Sequence, residues 1–223
     1  MATALNFTRD AVEAIVRQVV TQRIAALSVG ASEPTLAVHA SARHMHLCQA
    51  DLEKLFGPGA ALTPDRPLYQ EGNFAAKEAV TLIGPRSRLI SSLRILGPLR
   101  ERSQIELAFT DAISLGLDQI PIRLSGDVDG TPGAVLMGPH GVLELKQGVI
   151  RAAIHVHMNP SEAAHFGVRQ GDLMKLRVGG AAGTIFERVH VRVDARSRLN
   201  VHMDTDEANA CGLHLAKEIR IFK

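Results

Sequence analysis

The sequence predicts a mainly β protein: two small β-barrel domains capped by short helices, related by internal duplication and preceded by an N-terminal amphipathic helix. Three observations carry that expectation. From residue 36 onward the chain reads as short apolar runs divided by glycine and proline, a pattern of small barrels rather than of a parallel sheet with long crossover helices. Two stretches, Arg43-His44-Met45-His46-Leu47 and Ile154-His155-Val156-His157-Met158, share a further pattern: each leads through a polar start signal into a short helical segment that stops at Phe-Gly, at Phe56-Gly57 and Phe166-Gly167. The second copy is displaced by about half the chain. Finally, 223 residues with 46% hydrophobic content suffice for one large core or two of about 100 residues each, and the repeat favours two.

Taken in order, the chain opens on a helical pattern. Thr8 can cap it, Asp10 sits in the first turn, and Val12, Ile15, Val16, Val19 and Ile24 form an apolar stripe. Arg9, Glu13, Arg17, Gln18 and Arg23 interrupt that stripe, so the segment reads neither as a secretory leader nor as a membrane span. Residues 28–34 form a short linker. Strands are predicted over 35–47, 78–83, 91–96, 104–109, 120–124, 142–145, 149–157, 174–178, 184–193 and 199–203. Turn chemistry separates them at Gly57-Pro58-Gly59, Gly84-Pro85, Gly97-Pro98, Gly126-Asp127, Thr131-Pro132-Gly133 and Gly138-Pro139.

Charge and composition remove some functions. The formal charge of +2 comes from 25 basic and 23 acidic residues, without a basic run, and base-stacking aromatics are scarce, with no Trp and only Tyr69 among tyrosines. Nucleic acid is therefore not an expected ligand. Cys48 and Cys211 are the only cysteines, too few and too far apart for a disulfide framework, which fits a reducing cytoplasm.

The histidine pairs carry the chemistry. Side chains alternate across a strand, so His44 and His46 share one face, as do His155 and His157, while Met45, Leu47, Ile154, Val156 and Met158 face the core. Two imidazoles roughly 7 Å apart along one strand can converge on a single ion. Glu106 alternates against Ile105, Leu107 and Phe109, and its carboxylate can join such a pair; His202 lies on another strand, ahead of an acidic helix start at Asp204 or Thr205. Cys48 is a further candidate ligand, although a plain buried thiol explains it equally well. Three protein ligands with an open position mark a catalytic zinc, whereas closed four-ligand sites are structural. Two three-ligand sites fit these residues. A cupin also uses His-x-His, Glu and a later His, but Glu53 lies too far beyond His46 to match it.

Several motifs occur in one order along the chain: Ser41-Ala42-Arg43-His44-Met45-His46-Leu47, Asn73-Phe74-Ala75-Ala76-Lys77-Glu78, Leu96-Gly97-Pro98-Leu99-Arg100, Ser125-Gly126-Asp127, Gly148-Val149-Ile150 and Asp204-Thr205-Asp206-Glu207-Ala208-Asn209-Ala210. Together they resemble the PduL-type phosphotransacylases of propanediol utilisation, the phosphate propanoyltransferases, over nearly the whole chain from Leu36. The resemblance implies a dizinc enzyme that exchanges the coenzyme A of a short-chain acyl-CoA, propanoyl-CoA or acetyl-CoA, for inorganic phosphate. It assigns one zinc ion to His44, His46 and Glu106 and a second to His155, His157 and His202. Arg100 corresponds to the phosphate-binding arginine, and Ser41, Arg94 and Asn209 would lie along coenzyme A.

The resemblance also implies interleaved halves, with an early strand joining the C-terminal part. The expected divisions are 1–34 for the helix and linker, 35–46 plus 151–223 for the first barrel, and 47–150 for the second. A homo-oligomer, in the form of a dimer, and a cytoplasmic location inside a bacterial microcompartment are expected as well, the N-terminal helix docking on shell or core proteins; no membrane partner is expected. Two positions depart from the family pattern: Ile154 stands where an arginine commonly precedes the second histidine pair, and Gln70-Glu71-Gly72-Asn73 replaces a common Gln-Pro-Gly-Gln. The same six ligands would also serve a zinc-dependent thioesterase, in which a metal-bound water of lowered pKa attacks the thioester, or a scaffold with structural metals. Dependence on phosphate separates the first from transacylation, and coordination number separates the second.

Overall fold

A computed structural model describes Glu13, Val16 and Arg17, all helical, and residues 34–223. The N-terminal stripe on Val12, Ile15, Val16, Val19 and Ile24 therefore lies outside the described residues except at Val16. Leu36–Lys223 forms one structural unit. Its first half carries β1 (Ala37–Ser41), β2 (His44–His46), α1 (Gln49–Phe56), β3 (Pro64–Pro67), β4 (Phe74–Ile83), β5 (Leu89–Gly97), β6 (Gln104–Glu106), α2 (Phe109–Leu115) and β7 (Ile122–Arg123). The second half carries β8 (Ala134–Met137), β9 (Val142–Leu145), β10 (Val149–Ala152), β11 (His155–Met158), α3 (Pro160–Phe166), β12 (Leu173–Gly179), β13 (Thr184–Val193), β14 (Asn200–Asp204), α4 (Thr205–Ala210) and β15 (Glu218–Phe222).

The chain is mainly β, as the sequence predicts, and its strands form two curled, half-barrel sheets. One runs β1-β14-β11-β13-β12-β15 and the other β7-β10-β6-β2-β5-β4-β8-β9, with β3 added to β4. Alternation sets what each strand buries. Along β12, Met174, Leu176 and Val178 are buried while Leu173, Lys175 and Arg177 are exposed. Each sheet closes over its own apolar core: Met45, Leu52, Leu82, Ile95 and Ile105 belong to one, and Ile154, Val156, Leu176, Val191 and Val201 to the other.

Two strands expected to be continuous are broken. Residues 35–47 divide into β1, which pairs with β14, and β2, which pairs with β5 and β6 in the other sheet. Residues 149–157 divide likewise into β10, paired with β6 and β7, and β11, paired with β13 and β14. At each break an imidazole takes the carbonyl that would have continued the ladder. His44 Nδ1 donates to Ala42 O, and His155 Nδ1 to Ala153 O, both at 2.8 Å. The chain thus crosses between sheets immediately before each histidine pair.

Residues 104–109 also differ from the expected strand. Pairing stops at Glu106, and Phe109 opens α2. Ala108 offers that helix no side-chain cap; instead Asp206 of α4 accepts from the Thr110 amide at 3.0 Å and from its hydroxyl at 2.5 Å, meeting a need that N-terminal helix donors always present. This partner is remote in sequence, which is why the local pattern misled. Strands β3, β8 and β15 carried no sequence expectation, and 120–124 pairs only over Ile122–Arg123, beyond Pro121. The helices after the histidine pairs fall where the start signals put them. Asn159 with Glu162, and Asp204 with Glu207, form capping boxes on α3 and α4.

Arg151 joins the two sheets. From β10 its Nε donates to Asp204 Oδ2, its Nη2 donates to Glu207 Oε1 at 2.6 Å, and its guanidinium lies 4.7 Å from the centre of the Phe109 ring. All three charged side chains are about nine-tenths buried. Replacing Arg151 by Ala would strand two buried carboxylates, so Arg151→Ala is expected to lower unfolding free energy by about 3 kcal/mol, read from the urea midpoint. A loss below about 0.5 kcal/mol would mean that the cluster contributes no more than a surface ion pair.

Candidate metal centres and active cleft

A cleft of about 1230 Å³ opens between the sheets, and the sequence-predicted ligands His44, His46, Glu106, His155, His157 and His202 all line it. Strand register assembles them. His44 lies opposite Glu106 on the β2–β6 antiparallel ladder, with Met45 opposite Ile105 and His46 opposite Gln104. His155 lies opposite His202 on the β11–β14 ladder, with Val156 opposite Val201 and His157 opposite Asn200. In both ladders the middle pair enters a core, while the flanking histidines and Glu106 line the cleft. The structure thus brings together two groups, His44–His46–Glu106 and His155–His157–His202, and within each the three ligand atoms lie within 4.8 Å of one another.

Hydrogen bonds fix how the imidazoles present themselves. His44 Nδ1 and His155 Nδ1 donate to carbonyls two residues back, and His46 Nδ1 donates to Leu96 O at 3.2 Å. With Nδ1 carrying the proton, each neutral ring offers the Nε2 lone pair to the cleft. His44 Nε2 stands 3.5 Å from Glu106 Oε2, and His46 Nε2 stands 4.0 Å from Glu106 Oε1. Ligand atoms around a tetrahedral zinc are about 3.4 Å apart, so modest tightening suffices. The second group has a different sign of fit: among the described residues His202 Nε2 is buried without a hydrogen-bond partner, a costly arrangement for a nitrogen unless something else engages it. Both donor sets suit a divalent transition metal.

Glu106 anchors a polar chain toward Arg100. Its Oε1 accepts from Ser125 Oγ at 2.7 Å and from Gln104 Nε2 at 2.6 Å. Ser125 Oγ in turn accepts from Arg100 Nη1 at 2.8 Å and from Gln104 Nε2 at 2.9 Å, while Gln104 Oε1 accepts from the Gly126 amide at 2.6 Å. Arg100, which follows β5, is therefore held with one guanidinium nitrogen engaged and the rest of its fork facing the cleft it lines. Ser125 and Gln104 were not named as site residues from sequence. Their signals are the Ser125-Gly126-Asp127 motif of the family resemblance, to which no role was attached, and the alternation that puts Gln104 on the Glu106 face.

The remaining candidates separate. Ser41 and Arg94 line the cleft; Ser41 Oγ stands 3.5 Å from His44 Nδ1, and Arg94 donates to Ala76 O at 2.8 Å and pairs with Asp65 at 3.6 Å. Asn209 is exposed on α4 and is not among the residues lining the cleft. Cys48 is outside that lining too, with its Sγ accepting from Ser103 Oγ at 3.5 Å, which removes the reason to count it among the ligands. Ile154 packs into a core.

Burial holds His46, His155, His157 and His202 neutral. Desolvation, reinforced by His44 and Arg100, lowers His46 to about 3. Desolvation with His155 and other nearby charges lowers His157 and His202 to about 3, and His155 falls for the same leading reason. Glu106 is pushed up by burial but pulled to about 2 by His44, His46, Ser125 and Arg100. Each folded value lies below the ordinary one, so between them the unfolded chain binds more protons and stability rises with pH. Metal-free protein is thus expected to lose several kcal/mol between pH 6.5 and pH 4, followed by its urea midpoint. A midpoint constant over that range would contradict neutral, desolvated histidines.

Comparison with known proteins identifies the family. The family model described as phosphate propanoyltransferase matches residues 37–214. A phosphate propanoyltransferase of Planctopirus limnophila is 48% identical, over 98% of this chain and 93% of its own length. That of Thermotoga maritima is 47% identical, over 82% of this chain and 86% of its own. The Rhodopseudomonas palustris protein of the same name is 41% identical, over 98% of this chain and all of its own length. All six triad residues and Arg100 fall within the matched span. On the strength of that match and of these relatives, the chain belongs to the phosphate propanoyltransferase family, a family of acyltransferases.

Proposed function

We propose that the cleft exchanges the coenzyme A of a short-chain acyl-CoA, propanoyl-CoA or acetyl-CoA, for inorganic phosphate, giving acyl phosphate and free coenzyme A at a dizinc centre. The observation that carries this reading is the convergence of two three-ligand groups on one cleft, with Arg100 tied through Ser125 to Glu106. His44, His46 and Glu106 would hold one ion and His155, His157 and His202 the other. When bound, the two ions supply Lewis acidity and positive charge where the phosphate dianion must meet a thioester carbonyl.

The protein's own groups do the rest. Arg100 grips phosphate oxygens through the part of its fork that Ser125 leaves open, a charge-assisted contact that also screens repulsion between the dianion and the carbonyl oxygen. The Nδ1 donations of His44, His46 and His155 keep those rings in one tautomer and orientation. Phosphate oxygen attacks the acyl carbon, the carbon–sulfur bond breaks, and coenzyme A departs as thiolate. A direct transfer is favoured over an acyl-enzyme because Cys48 does not line the cleft and Ser125 already donates to Glu106. Arg94 and Ser41, on the cleft wall, are the coenzyme A contacts of this reading; the exposed position of Asn209 places less weight on it.

A duplicated origin for the two halves belongs to the same proposal. It is supported by matched roles: β1, β2, β5 and β6 relate to β10, β11, β13 and β14 through the same parallel and antiparallel pairings, with Glu106 and His202 at equivalent positions. In this reading β1 joins the C-terminal barrel and β10 the other.

Release of coenzyme A thiol from propanoyl-CoA, with and without inorganic phosphate, tests the function on zinc-loaded and chelated protein. Release is expected to need both phosphate and metal, and Arg100→Ala is expected to raise the phosphate KM by about tenfold or more without lowering zinc content. Metal-dependent release that ignores phosphate would instead make this a thioesterase.

A further inference from the structure

The cleft wall carries more positive charge than its internal partners neutralise. Among the described residues that line it, Arg43 pairs with Asp111, Arg94 with Asp65 and Arg196 with Asp194. Arg66, Arg100 and Arg192 have no carboxylate within 4.0 Å among the described residues. Arg66 lies on exposed β3. The other two come from different sheets and line the same cleft: Arg100 follows β5, and Arg192 lies near the end of β13.

Alternation fixes the direction of Arg192. Val189 and Val191 enter the core beneath β13, so Arg192 points to the opposite face, and its strand partner is His157 on β11. It is only partly exposed, and among the described residues no side-chain hydrogen bond holds it. Its charge is felt on both sides of the cleft, since it opposes protonation of His155 and His157 and lowers Arg100. Two guanidinium groups that line one cleft, neither with a carboxylate within 4.0 Å among the described residues, call for an anion with oxygens to share.

We infer that Arg192 is the second jaw of a phosphate clamp: Arg100 and Arg192, one from each sheet, grip the same inorganic phosphate beside the His155–His157–His202 group. This rests on the transacylase reading and adds a residue to it. The chemistry favours phosphate over the coenzyme A diphosphate because Arg192 is paired in register with His157, a candidate ligand, whereas Arg66 lies on exposed β3 and Arg94 is engaged by Ala76 O and Asp65. Two jaws on separate sheets also make phosphate affinity depend on how the sheets are joined.

Arg192→Gln and Arg192→Lys, prepared as zinc-loaded protein, test the clamp by the KM for phosphate, the KM for propanoyl-CoA, and calorimetric binding of inorganic phosphate without acyl-CoA. Arg192→Gln is expected to weaken phosphate in both the kinetic and the binding measurement by about ten- to hundredfold, the loss of a charge-assisted contact. The propanoyl-CoA KM and the zinc content should stay near wild type, and Arg192→Lys should recover part of the loss. An unchanged phosphate affinity would overturn the clamp, as would a rise confined to the propanoyl-CoA KM. If wild-type turnover proved independent of phosphate, the transacylase reading would fail, while the calorimetric comparison would still decide whether Arg192 binds the anion.

Discussion

The site depends on two short antiparallel ladders. On one, His44 faces Glu106; on the other, His155 faces His202. Each ladder is pinned by a core pair, Met45 with Ile105 and Val156 with Val201, all fully buried. Because side chains alternate with a period of two, a slip of one residue would turn the ligands into the core and the apolar residues into the cleft. The cost of burying imidazoles and a carboxylate without partners therefore enforces the same register as the apolar packing does. Fold and ligand geometry are one constraint in this protein.

The breaks before the ladders give that constraint its reach. At Ala42 and at Ala153 the chain leaves one sheet and enters the other, so the two histidine pairs, which are far apart in sequence, come to share a cleft. The carbonyl freed by each break accepts the Nδ1 proton of the following histidine, and this single bond both ends one strand and chooses the tautomer needed for the next. The two groups are not electrostatically alike. Glu106 cancels one unit of charge on any ion it helps to hold, while three neutral histidines leave the full charge in place. In the proposed reaction, phosphate approaching from the Arg100 and Arg192 side would meet that difference.

Much of this was legible in the sequence because it follows from alternation alone. His44 and His46, or His155 and His157, must share a face wherever they lie on a strand; Glu106 alternates against Ile105 and Leu107, and His202 against Val201 and Met203. The capping boxes at Asn159 and Asp204 were likewise written locally. What could not be read depended on partners remote in the chain. Nothing near Ala42 marks a change of sheet, and nothing near Phe109 announces that Asp206 will cap a helix there. Arg192 looks like a solvent-facing residue of a long strand until β11 and the opposite sheet are set beside it. The family resemblance supplied the sorting of six candidate ligands into two groups, which spacing by itself left open.

The most direct test of the account is the zinc content of folded, zinc-saturated protein, counted by elemental mass spectrometry for the wild type and for Glu106→Ala and His202→Ala. Two independent three-ligand groups on separate ladders require about two ions per wild-type chain and about one in each variant, with near-native circular dichroism throughout. A single ion per wild-type chain, or variants that keep the full wild-type content, would contradict the assignment of the two groups as separate metal centres.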